Sequence, residues 1–198
     1  EEVRARRVLI PGMEGLRSWI DRETRLGNPA LADEIERNPD PDLKVALAWS
    51  KDVNQAVEKI VRNVPPFPFV RPCLEKLSSR ADVIVVSQTP GEALEREWKE
   101  HGIDTFVRVI AGQELGTKIE HIGLAAKGKY SSDRILMLGD ALGDLQAAKA
   151  NDALFFPINP GHEEASWQRL HEEGLERFFA GTYAGAYENG LIDEFNRL

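Results

Sequence analysis

The chain has 198 residues, 42% hydrophobic and 29% charged, an ordinary balance for a soluble protein of one to two domains. Its net charge of −8 argues against nucleic acid or an anionic membrane as a partner held by bulk positive charge. The single cysteine, Cys73, allows no internal disulfide, no apolar run approaches the ~18 residues of a membrane span, and the acidic start is no signal peptide. A cytoplasmic protein is expected.

Residues 1–64 read as a helical region. "MEGLRSWIDRETRL" places Leu16, Trp19, Ile20 and Leu26 largely on one helical face. "NPALADEIER" has Asn28 as N-cap and Pro29 at the first helical position. Asp42 is a cap for the next helix, where Leu43, Ala46, Leu47, Val53, Val57, Ile60 and Val61 form a stripe. "VPPFPFVRP", residues 64–72, carries four prolines and reads as a boundary, because proline removes a donor and clashes with the preceding turn.

Beyond the boundary, over 65–161, helix and strand alternate. "CLEKLSS" is a short helix that takes in Cys73 as a small buried hydrophobe. "DVIVVS" is a strand without polar alternation, as expected where both faces are covered. "GEALEREWKEHGI" is a helix, "FVRVIAG" a short strand, "KIEHIGLAAKG" a helix, "RILMLGD" a strand, "GDLQAAKAND" a helix and "ALFFPIN" a last strand. This alternation predicts an α/β fold, a parallel sheet with helices on both faces. Residues 162–198 return to helix as a C-terminal extension. Trp19, Trp49, Trp98 and Trp167 are expected mostly in the core, and His121 on the solvated surface.

In an open parallel sheet, ligands collect at the carboxyl ends of the strands. Ser87 and Gln88 end one predicted strand, Gly139 and Asp140 another, and Asn159 the last; Lys118 opens a helix. Asp140 and Asp144 are two hard-oxygen donors whose mutual repulsion a cation such as Mg²⁺ would relieve. The same spacing equally suits a strand end followed by a helix cap. Ser87 can donate to a phosphate oxygen or simply open a turn before Pro90. Lys118 can neutralise charge on a transferred phosphoryl group, or be a solvated lysine set against the helix dipole.

The order of these pieces resembles the haloacid dehalogenase (HAD) superfamily: "VIVVSQT" as its second motif, Lys118 as its third, "LMLGDALGD" as its fourth. "ALFFPINPG" is similar to the strand that follows the fourth. The resemblance spans about residues 65–161 and implies a Rossmann-like core with 1–64 as an N-terminal helical cap. It also implies that Ser87 and the Gln88 backbone hold a phosphate, that Lys118 is catalytic, and that Asp140 and Asp144 hold Mg²⁺. Two acids in the fourth motif imply a magnesium-dependent phosphatase acting on a small phosphorylated substrate.

The family's first motif, an apolar strand running into Asp-x-Asp, has no counterpart. Asp40-Pro41-Asp42 has the spacing but follows a helix end, and "RRVLI" runs into no aspartate. In this family that strand lies between those carrying Ser87 and Asp140, so its absence predicts two inner edges of unpaired N–H and C=O groups. A complementing N-terminal segment missing from the chain is therefore expected. The alternative is a non-catalytic relative, or a subunit completed by another segment. A homo-oligomer is also open.

Overall fold

The computed structural model describes residues 12–23 and 26–198. The apolar run in "RRVLI" lies outside them. The chain divides into two compact units at the Val61–Arg62 junction, just before the proline-rich run.

The described part of the first unit is helical. It holds α1 (Glu14–Arg22), α2 (Asn28–Arg37) and α3 (Pro41–Ile60) around buried Trp19, Leu31 and Leu43. Gly27, not Asn28, is the N-cap of α2, and Asn28 is its first helical residue. The Asp40 carboxylate caps α3, accepting from Asp42 N–H at 2.8 Å and Leu43 N–H at 3.3 Å. Asp42 instead accepts from Gly15 N–H at 3.0 Å, tying α3 to the start of α1. The expected stripes are cut short in two places. Ile20, within α1, and Leu26, beyond the helix end at Arg22, are both exposed. On α3 Leu43 is buried and Ala46 and Leu47 pack on it, while Val53, Val57 and Ile60 face solvent and Val61 is the cap.

The second unit, Arg62–Leu198, is mixed helix and parallel strand, and so α/β. In order it holds α4 (Val70–Leu77), β1 (Ile84–Val86), α5 (Gly91–Glu100), β2 (Val109–Ala111), α6 (Lys118–Ala126), β3 (Leu136–Gly139), α7 (Leu142–Ala150) and β4 (Leu154–Pro157). The tail adds α8 (Glu163–Arg169), a π-helical turn over Leu170–Gly174, α9 (Leu175–Ala180) and α10 (Ala186–Phe195). Residues 162–198 fold into this same unit: Leu170, Leu175, Phe178, Tyr183 and Leu191 share a core cluster with Leu154, Phe156 and Ile158.

The strands form two parallel pairs, β1 with β2 and β3 with β4. Both pairs contribute to the same two clusters. Val83, next to β1, packs with Leu136 and Leu138 on one; Val86 packs with Met137 and Phe155 on the other. No ladder among the described residues joins β1 to β3.

The directions of the backbone groups follow from the register. Arg108 N–H donates to Val83 C=O at 2.7 Å and Ser87 N–H to Ala111 C=O at 3.0 Å. Alternate residues of a parallel strand serve opposite edges, so Ile84 and Val86 turn away from β2. Likewise Ile135 and Gly139 carbonyls accept from Leu154 N–H at 2.9 Å and Ile158 N–H at 2.8 Å. Leu136 and Leu138 therefore turn away from β4.

Burial follows the same division. All of β4 is buried, whereas Ile84, Val85 and Val86 of β1 are only half-buried, as is most of β3. Strands covered on both faces and paired on both edges would show no such exposure.

Candidate functional site

Asp144 is the most buried carboxylate among the described residues, 1% exposed. One carboxylate oxygen pairs with Lys118 Nζ. The other accepts from the N–H groups of Asp140 and Ala141, both at 3.2 Å. So the carboxylate closes the turn after β3 and fixes an ammonium from α6. A carboxylate this buried is tolerated because three donors face it; removing one partner of such a pair costs about 3–5 kcal/mol.

Gly139 makes this possible. A Cβ built there would lie 2.3 Å from Asp144 Cβ and 2.5 Å from its Cγ. Only a residue without a side chain lets Asp144 fold back over the strand end. Asp140 next to it is exposed, and its side chain meets no hydrogen-bond partner among the described residues.

Lys118 is the first residue of α6, as the sequence implied. Thr117 caps the helix: its hydroxyl accepts from Glu120 N–H, while the Glu120 carboxylate accepts from Thr117 N–H. The cap fixes where the helix starts, and with it the origin of the Lys118 side chain.

Ser87 follows β1 directly. Its hydroxyl oxygen accepts from Thr89 N–H at 3.1 Å, so it does open a turn, with its own O–H left to donate. Gln88 is exposed. The turn is locked to the loop after β2: Gln113 N–H donates to Thr89 C=O at 3.1 Å, and Gly91 N–H to the Glu114 carboxylate at 3.0 Å. At Gly112 a Cβ would fall 2.4 Å from Gly91 N, so these two loops meet backbone to backbone. That second loop leads through Thr117 into Lys118. The Ser87 turn is thus held by contact to the loop whose chain continues into Lys118, and Lys118 in turn pairs with Asp144.

Asn159 lies two residues past β4. Its N–H donates to Ser166 Oγ at 3.0 Å, and its amide oxygen is buried without a partner. It belongs to the junction with α8 and, among the described residues, makes no hydrogen bond to Lys118 or Asp144.

Sequence reasoning missed two residues. His121 is 6% exposed, not on the surface, and neither ring nitrogen meets a hydrogen-bond partner among the described residues. The available signal was its helical phase, beside Ile122 and one turn past Lys118. Glu114 had none, because its role depends on contact with Gly91, 23 residues away.

No group of three or more His, Cys, Asp or Glu side chains arranged for a metal occurs among the described residues. The donor set fits Mg²⁺ in part. Asp140 offers a free carboxylate, and Asp144 backs it, with one oxygen already on Lys118. Mg²⁺ binds through one or two carboxylates plus waters and substrate phosphate, so these acids suit it as part of a larger set.

No protein-family model matches the chain, and neither the curated proteins nor the solved structures contain a match. Among the described residues no helix is long and apolar enough to cross a membrane.

Proposed function

We propose that the chain is the greater part of a HAD-like, Mg²⁺-dependent phosphohydrolase, and that β1–β2 and β3–β4 are halves of one Rossmann-like sheet. The observation that supports this best is the Lys118–Asp144 pair beside Asp140 at the end of β3. It assembles, from residues 26 positions apart, a cation and two acids at a strand end, where phosphoryl chemistry needs them.

In this reading the Ser87 hydroxyl and the Gln88 backbone N–H donate to the substrate phosphate. Lys118, held by Asp144, offsets negative charge on the nucleophile and on the phosphoryl oxygens. Asp140 and Asp144 would hold Mg²⁺, which supplies further charge neutralisation at the phosphate when bound. The nucleophilic aspartate and the general acid/base arrive on a further strand between β1 and β3, which no ladder joins among the described residues. The helical unit takes the place of a cap, and the protein works in the cytoplasm.

A second reading rests on those same unjoined strands. The chain is then a non-catalytic binding protein or a subunit, completed by a strand that carries no nucleophile.

The test is a panel of phosphorylated metabolites, assayed with and without Mg²⁺ on a protein extended upstream by an apolar strand ending in Asp-x-Asp. Mg²⁺-dependent turnover that falls at least 100-fold in Asp140→Asn is the expected result. Turnover indifferent to Asp140 removes the phosphohydrolase assignment. A folded, completed protein with no turnover on any substrate favours the binding reading.

A further inference from the structure

Among the described residues of its own unit, none covers the second half of α3. Every residue from Lys51 to Ile60 whose side chain is described is exposed. Yet this half carries an apolar seam: Trp49 is 68% exposed and Ile60 80%, with Val53 between them. Trp49, Val53, Ala56 and Ile60 are spaced four, three and four apart, alternating a and d positions of a heptad pattern. An exposed apolar seam on a helix that is anchored at its other end is a face suited to a partner.

The flanking charges indicate what. Asp52 and Lys59 are seven residues apart, so they occupy the same flank of the seam one heptad from each other. Aligned antiparallel with an identical helix about a two-fold axis, this flank faces its own copy. Asp52 of one copy then meets Lys59 of the other, twice over. A parallel alignment would set Asp52 against the apolar Val57 instead.

We propose that the Trp49–Ile60 segment of α3 docks antiparallel on the same segment of a second copy of this chain, with reciprocal Asp52–Lys59 pairs setting the register. The seam is only two heptads long, so the dimer is weak and dependent on concentration.

The test is sedimentation of the full chain from ~1 µM to ~1 mM, with Asp52→Lys and Lys59→Asp compared against the unsubstituted protein. Both changes are on exposed positions, and circular dichroism checks that each variant folds. Each variant alone places like charges opposite each other and should dimerise at least several-fold more weakly. Mixed together, the two variants are complementary and should associate at least as well as the unsubstituted chain. Zero-length carbodiimide coupling should join Asp52 to Lys59 only between copies, because within one helix the two lie ~10 Å apart along the axis. A chain monomeric at ~1 mM overturns the proposal. So does a dimer indifferent to both substitutions and to mixing, or coupling of the seam to residues 62–198 of the same molecule.

Discussion

The two edges of the β3–β4 pair are finished in opposite ways. On the outer side, Phe155 N–H donates to the Glu188 carboxylate at 2.9 Å and Phe155 C=O accepts from the buried Tyr183 hydroxyl at 2.8 Å. The next outward position is Pro157, which has no N–H to satisfy. On the inner side, Leu136 and Leu138 meet no such provision among the described residues, and neither do Ile84 and Val86 of β1. The tail of the chain closes one edge with side chains. Natural sheets that expose an edge blunt it; on the proposed reading, the unblunted edge is where a further strand would pair.

The largest expected effect tests the anchor at the open side. Asp144→Ala frees Lys118 and two turn amides at once, and should lower stability by about 3–5 kcal/mol in urea unfolding. A loss below about 1 kcal/mol would mean that the turn after β3 does not depend on this carboxylate.

Hydrogen exchange sharpens the contrast directly. The Val86 and Leu138 amides should exchange at least ~100-fold faster than that of Phe155, since local opening costs little where no partner is lost. On the proposed reading, supplying an apolar strand ending in Asp-x-Asp should slow the first two and leave Phe155 unchanged. Equal protection of all three in the chain alone would abolish the distinction between the edges.

Smaller effects follow on the closed side. Glu188→Ala should cost about 2 kcal/mol by stranding the Phe155 N–H, and Tyr183→Phe about 1 kcal/mol by stranding its carbonyl. Thermal unfolding of the two single variants and the double variant measures both. If neither moves the midpoint, water replaces the side chains and the edge is not sealed.

A further effect is pH-dependent and is absent at neutral pH, appearing only above about pH 9. Cys73, 1% exposed, packs in the cluster that includes Leu154 and Phe156 of β4, and burial pushes its thiol from 9.0 up to about 12. The unfolded chain therefore loses this proton near pH 9 while the folded chain keeps it to about pH 12. Protons bound favour the folded state between these values, so this contribution to stability declines as pH rises from 9 to 12. Cys73→Ser compared with the unsubstituted chain across that window isolates it; parallel declines would show that the thiol is not responsible.

Much of the second unit was legible because hydrophobic runs and turn residues are local. The four strands fall within the segments the alternation marked out, and Lys118 opens its helix. Gly139-Asp140 stands at a strand end for a reason the sequence could suggest but not supply: the space needed by Asp144. What periodicity cannot report is whether a face is covered. It grouped Val53 and Ile60 with Leu43, although only Leu43 is buried. It placed His121 in water, although α6 turns it inward. The pairing of Lys118 with Asp144, and the reach of Glu188 and Tyr183 back to Phe155, join residues 26 to 33 positions apart. No local pattern encodes such distances.

Gly139 bears no charge and donates nothing to any ligand, yet a single methyl group there would meet the Asp144 carbon skeleton at 2.3 Å. Displacing that side chain would release the lysine and unlatch the turn in one move. In a mutational scan the Gly139→Ala variant should therefore cluster with losses of ionic residues rather than with changes of backbone flexibility.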